Sequence, residues 1–223
     1  MKTPLIIVNF KCYEESTGEN ALKLAKMCES VSKEYKINIA VVPQFTDINS
    51  ISKKVDIPVL SQHIDSIYPG SYTGHISPLS IKEAGAIGTL LNHSEKRLSL
   101  EEIEECIQKA KNYGLTTVCC SANVNESEEI AKFAPDFIAY EPPELIGTGI
   151  SVSQTKPEVV TQTVDVIKKI NSNIKVLCGA GITKGEDVKK ALELGTVGVL
   201  LASGVVKAKD PKKVLIDFAK SIK

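Results

Sequence analysis

Glu141 directly follows the apolar run Phe137-Ile-Ala-Tyr140, and His93 follows Leu90-Leu91-Asn92. A carboxylate placed at the end of a buried run sits against apolar walls, where partial desolvation raises its basicity toward that of a useful general base. After His93 come Ser94 and Glu95, a hydroxyl and a carboxylate that can begin a helix. The positive end of such a helix would face the ring, lower its pKa and keep it neutral, suited to donating a hydrogen bond to a carbonyl. Asn9 and Lys11 lie two apart after Leu5-Ile-Ile-Val8, a spacing that points both side chains to one face at a strand end. A base, a neutral donor, an amide and a cation together can move a proton beside a carbonyl and hold the charge that develops.

Small residues supply a second ingredient. Gly179-Ala-Gly181 can bring backbone N–H groups close to a ligand, and Ala202-Ser203 adds two more at a helix start, an arrangement suited to an anion. Taken singly, each feature has an ordinary reading: Lys11 as a surface lysine, Asn9 as a turn former, His93 as structural, Glu141 as a solvated residue before a proline turn. Their joint position at the ends of apolar runs favours the chemical reading. His63 and His75, on one long connection, carry the ordinary one. The three histidines have no metal-ligand spacing, and the six cysteines form neither CxxC pairs nor a zinc or disulfide framework. No metal site and no cofactor are expected.

The elements that position these groups recur along the whole chain. Eight short runs rich in Val, Ile and Leu fall at residues 5–9, 37–42, 59–61, 87–92, 115–120, 137–141, 174–178 and 197–202. They are continuous rather than alternating, as in parallel strands buried on both faces. Between them lie amphipathic stretches at 20–35, 100–113, 157–170 and 188–194, with Ser99-Leu-Glu-Glu102 and Thr183-Lys-Gly-Glu186 at capping-box spacing. The third unit is the shortest, with a long loop at 62–78 and a brief helix at 79–84. Eight strand–helix repeats in 223 residues match an α/β (β/α)8 barrel, with no linker or low-complexity tract to divide residues 1–223 into more than one domain. In such a barrel the ligand site lies at the carboxyl ends of the strands, where the candidate residues fall, and the loops after strands seven and eight commonly bind phosphate.

Equal numbers of basic and acidic residues, 27 each, remove the long-range attraction of a nucleic-acid or anionic-membrane binder, so any anion site is local. The start of the chain has only a short apolar run, and no stretch approaches the length of a membrane span. A soluble, reduced, cytoplasmic protein is expected.

The segments Asn9-Phe-Lys11, Gly70-Ser-Tyr-Thr-Gly74, Asn92-His-Ser-Glu-Lys-Arg97, Tyr140-Glu-Pro142 and Ile146-Gly-Thr-Gly149, in this order, resemble those of the triosephosphate isomerase family. The resemblance implies a TIM barrel that interconverts dihydroxyacetone phosphate and D-glyceraldehyde 3-phosphate through an enediolate, in glycolysis and gluconeogenesis, without cofactor. It implies Glu141 as proton acceptor, His93 as electrophile, Lys11 as the cation facing the enediolate, Asn9 as a substrate-positioning amide and Glu95 as the partner of the lysine. Phosphate would meet backbone N–H groups near Ile146, Gly147, Gly181, Ala202 and Ser203, under a lid over residues 142–149. The third loop would reach a second subunit, giving a homo-oligomer that is at least a dimer, with a homotetramer in the shortened archaeal branch that the chain resembles.

The chain also departs from that family's usual pattern. It is shorter than the typical barrel of about 250 residues. The lid entry Pro142-Pro-Glu144 lacks the frequent tryptophan, Cys-Gly-Ala-Gly181 replaces Tyr-Gly-Gly-Ser, and Ala202-Ser203 replaces paired glycines. Another phosphate-binding barrel enzyme, such as a sugar-phosphate epimerase, would share strands seven and eight but does not predict Asn9-Phe-Lys11 together with His93 and Glu141. A non-catalytic barrel serving as a binding module has no need of convergent polar strand ends.

Overall fold

The computed structural model describes residues 1–145, 149 and 151–222. Eight strands, β1 (Leu5–Asn9), β2 (Asn38–Val42), β3 (Leu60–Ser61), β4 (Gly88–Leu91), β5 (Thr116–Ser121), β6 (Phe137–Tyr140), β7 (Lys175–Cys178) and β8 (Gly198–Leu201), form one parallel sheet in the order β2-β1-β8-β7-β6-β5-β4-β3. The edge strands meet at a single bridge between Val41 and Val59, and the Val41 N–H donates to the Pro58 carbonyl at 3.0 Å. The sheet is thereby nearly closed into a barrel. Each strand begins and ends within one residue of the apolar run that predicted it.

Helices surround the strands: α1 (Glu19–Tyr35), α2 (Ile48–Ser52), α3 (Pro78–Glu83), α4 (Leu100–Asn112), α5 (Val124–Lys132), α6 (Val152–Thr155), α7 (Pro157–Ile170), α8 (Gly185–Glu193), α9 (Ser203–Val206) and α10 (Pro211–Ser221). The continuous apolar runs divide by alternation into two cores. Leu5, Ile7, Leu60, Leu90, Phe137, Ala139, Leu177 and Leu200 point inward and fill the barrel. Ile6, Val8, Leu91, Ile138, Tyr140, Cys178 and Leu201 point outward and pack with the apolar faces of the helices, such as Leu24, Ile103 and Ile107. A one-residue slip in any strand would exchange the two sets, so both cores fix the register, and through it the side chains at the barrel mouth.

The capping box at Ser99 forms as predicted: Ser99 Oγ accepts from the Glu102 N–H at 3.2 Å and Glu102 Oε2 from the Ser99 N–H at 2.7 Å. The second prediction is off by one residue. Asp187, not Glu186, supplies the carboxylate at the start of α8, accepting from the Thr183 and Lys184 N–H groups at 3.0 Å each. Helix start signals specify a spacing, and here two acidic neighbours compete for it; the one whose side chain faces back over the first turn is buried and takes the bonds.

The long third connection is pinched at its base by Asp65, whose N–H donates to the Ile76 carbonyl at 2.9 Å and whose Oδ2 accepts from the Ile76 N–H at 2.6 Å. His63 is buried, with Nε2 3.0 Å from Asp65 Oδ1, and burial pushes its pKa below the ordinary value despite that partner. It is a structural histidine. His75 is exposed and stacks edge-on to Tyr72, with ring centroids 5.8 Å apart. All six cysteines are free, and only Cys12 is exposed.

Candidate active site

Alternation along the strands carries several site residues to the same end of the barrel. Asn9 continues the inward series of Leu5 and Ile7, Glu141 that of Phe137 and Ala139, and Gly179 that of Leu177. Once the apolar layers are filled, the next inward position is the mouth, and a polar residue there faces a pocket rather than a core. Asn9, Lys11, His93, Glu141, Gly181, Ala202 and Ser203 all line that one pocket.

Lys11 reaches it by a different route from the one its spacing implies. It lies beyond β1 in a left-handed conformation, φ +48°, so strand alternation does not aim it. The turn is held by the Lys11 N–H donating to Asn9 Oδ1 at 3.0 Å and by Gln62 Nε2 donating to the Lys11 carbonyl at 2.9 Å. Its ammonium pairs with Glu95 Oε1 at 2.6 Å. The Lys11 side chain is largely sheltered whereas that of Glu95 is well exposed, so the pair bridges the pocket wall to solvent.

Glu141 is 4 % exposed, and its Oε2 has no hydrogen-bond partner among the described residues. Burial pushes its carboxyl above the ordinary range, an effect partly offset by the His93 ring, the Cys120 thiol and the Lys11 ammonium. A buried carboxylate that lines a pocket and has one oxygen without a proton-bearing partner has the character a general base requires. Its backbone is fixed on both sides: the Glu141 N–H donates to the Ser121 carbonyl at 2.8 Å, and the Tyr140 carbonyl accepts from the Gly179 N–H at 2.9 Å.

His93 Nε2 stands 3.8 Å from Glu141 Oε1. The predicted helix start behind His93 is absent: residues 94–95 form a turn, and α4 begins only at Leu100. The capping box at Ser99 sets that start, so no helix begins at Ser94 directly after the ring. In its place a single backbone group, the Glu95 N–H, donates to Nδ1 at 3.2 Å. An imidazole nitrogen that accepts carries no proton, so in the neutral ring the proton lies on Nε2, the nitrogen facing the pocket.

The opposite wall is built from the loops after β7 and β8. Gly181, at φ +69°, precedes Ile182 and Thr183, and the Asp187 carboxylate holds that loop through the Thr183 N–H. Gly204 lets α9 approach it: a Cβ there would lie 2.5 Å from the Ile182 carbonyl oxygen. Ala202 and Ser203 thus sit beside the Gly181 loop, and both segments line the pocket together with Gly149. Ile146 and Gly147 lie outside the described residues, as does Thr148 of the predicted lid. Among the described residues, no three His, Cys, Asp or Glu side chains gather as a metal site would require.

In the sequence, Gly179 stands out only as one half of a glycine pair. A Cβ on it would lie 2.4 Å from Glu141 Cγ, so its lack of a side chain makes room for the carboxylate. The inward alternation of β6 and β7, paired in register from Phe137↔Lys175 to Tyr140↔Cys178, was the signal that could have shown it. Tyr13, which lines the pocket with the Lys207 ammonium 4.5 Å above its ring, had no such signal.

The family model for triosephosphate isomerase matches residues 4–222. A triosephosphate isomerase of Methanobacterium bryantii is 56 % identical over 221 residues, covering 99 % of this chain and 98 % of its own. That of Methanocaldococcus jannaschii is 56 % identical over 98 % of this chain and all of its own length, and that of Methanosarcina acetivorans 52 % identical over the whole of both. With eight parallel strands in a nearly closed barrel and a match over nearly its full length, this chain belongs to the triosephosphate isomerase family.

Proposed function

We propose that the protein is a triose-phosphate isomerase that interconverts dihydroxyacetone phosphate and D-glyceraldehyde 3-phosphate in glycolysis and gluconeogenesis, as a single barrel domain without metal or cofactor. The observation that carries this reading is the buried Glu141 carboxylate, with one oxygen unpartnered and the other 3.8 Å from His93 Nε2. Glu141 takes the proton from the carbon beside the carbonyl. The electron pair of the broken C–H bond forms the enediolate double bond, and the carbonyl π pair moves onto oxygen. His93 Nε2–H and the Lys11 ammonium stabilise that oxygen, and the Asn9 amide orients the substrate. The proton of the neighbouring hydroxyl then passes to the former carbonyl oxygen, with His93 Nε2 placed to relay it, while Glu141 returns its proton to the former carbonyl carbon and the hydroxyl oxygen becomes the new carbonyl, so atoms and electrons balance.

Glu95 holds Lys11 in place through the 2.6 Å ion pair. Backbone N–H groups of Gly181, Ala202 and Ser203, with those near Ile146 and Gly147, bind the phosphate. No helix among the described residues is long and apolar enough to cross a membrane. The reading is of a cytoplasmic enzyme acting on a small phosphorylated triose, and the balance of 27 basic and 27 acidic residues supports such a substrate over a nucleic acid. Tyr68 and Tyr72 on the third loop, 54 % and 48 % exposed, support the reading of a homo-oligomer that is at least a dimer.

The direct test is a coupled assay of the purified protein in chelator. Conversion of dihydroxyacetone phosphate to D-glyceraldehyde 3-phosphate is expected. No conversion by folded protein would overturn the proposal.

A further inference from the structure

Immediately before His93 stands Asn92, buried and in a left-handed conformation, φ +57°, at the end of β4. Asn tolerates that conformation better than most residues, but glycine adopts it with no strain, so the backbone alone does not call for an amide. The amide is nonetheless fully used. Nδ2 donates to the Cys120 carbonyl at 2.9 Å and to Glu126 Oε1 at 3.0 Å, while Oδ1 accepts from the Leu98 N–H at 2.9 Å. Arg97 closes the bridge, donating to Glu126 Oε1 through Nη2 and to the Asn92 carbonyl through Nη1 at 3.2 Å. Glu126 is anchored in turn, its Oε2 accepting from the Ala122 N–H at 2.6 Å.

This bridge joins the two strand ends that set the distance between electrophile and base. His93 is the next residue after Asn92, and Ser121, the next after Cys120, accepts the Glu141 N–H at 2.8 Å. The loop from residue 92 to residue 98 folds back on the same amide, and that loop carries the Glu95 N–H that donates to His93 Nδ1. From this we infer that Asn92 is a positioning residue: its amide, braced by Glu126 and Arg97, holds the His93 ring at its working distance from Glu141. The inference rests on the isomerase reading above, in which His93 acts on the substrate oxygen.

Asn92→Gly separates the two roles, since it keeps the backbone conformation and deletes the amide. Misplacing a reacting group by a fraction of an ångström affects the transition state more than ground-state binding, so kcat falls about tenfold while KM stays within about twofold. Nitrogen-15 spectra of the ring should show His93 in one form in the parent, Nδ1 accepting and Nε2 protonated, and an average of forms in the variant. Glu126→Gln weakens the same bridge and should lower kcat about threefold. Because both substitutions act through one bridge, the double variant should be no slower than Asn92→Gly alone. Parent-like kcat or an unchanged ring signal in Asn92→Gly, or losses that multiply in the double variant, would overturn the inference. If Asn92→Gly does not fold, Glu126→Gln decides: reduced kcat with KM held supports positioning, and parental kcat refutes it. An inactive parent would count against the isomerase reading instead, with the ring spectra still reporting on Asn92.

Discussion

Replacing Gly179 by alanine tests whether the base is placed as closely as the barrel implies. The added Cβ would lie 2.4 Å from Glu141 Cγ and 3.1 Å from the Tyr140 carbonyl oxygen, whereas ordinary contact begins at 3.4 Å. Glu141 Cγ must then move by about 1 Å, because the strand backbone on the other side is fixed by the ladder between β6 and β7. Overpacking of this kind costs about 1–3 kcal/mol of stability, which a protein with a barrel core of this size survives. A 1 Å misplacement of a reacting group costs about 10²-fold in rate. Gly179→Ala is therefore expected to keep its fold by circular dichroism and thermal melting, to lose about two orders of magnitude in kcat, and to change KM little. A folded variant with kcat within twofold of the parent would refute the reasoning, because it would mean that the carboxylate does not work from this position.

Two further outcomes follow from charges at the same mouth. Lys11→Met removes a preorganised cation and leaves Glu95 without its partner, and kcat/KM is expected to fall by about 10²–10³-fold; an unchanged value would remove the lysine from the mechanism. Burial raises the Glu141 carboxyl above its ordinary value of 4.5, so between that value and the raised one the native protein holds a proton that the unfolded chain releases. Stability attributable to Glu141 therefore falls as pH rises through that window, and Glu141→Gln should resist urea better than the parent near about pH 7, with the difference vanishing near about pH 4. An advantage that grows toward acid would contradict the direction of the shift.

The strands were legible because a barrel strand buried on both faces is a continuous apolar run, and the polar residue that ends it is visible as a break. That logic placed Asn9 and Glu141, which sit on the inward alternation of their strands. It did not account for Lys11, whose place comes from a left-handed turn held by Gln62 from a distant loop. Nor could it choose between Ser94 and Ser99 as a helix start, or between Glu186 and Asp187 as a cap, since both choices depend on which side chain finds its donor in three dimensions. The room made by Gly179 and the bridge through Asn92 belong to the same class. They join residues 28 to 38 positions apart, on strands whose pairing the sequence does not state.

Proton transfer by Glu141 is tested most directly by isotope exchange in deuterium oxide, with triose phosphate incubated with the parent and with Glu141→Gln. The parent should place deuterium on the carbon beside the carbonyl, and the folded variant should do so slower by about 10²–10⁴-fold, the usual contribution of a positioned base. Exchange at the parental rate by folded Glu141→Gln would contradict the account.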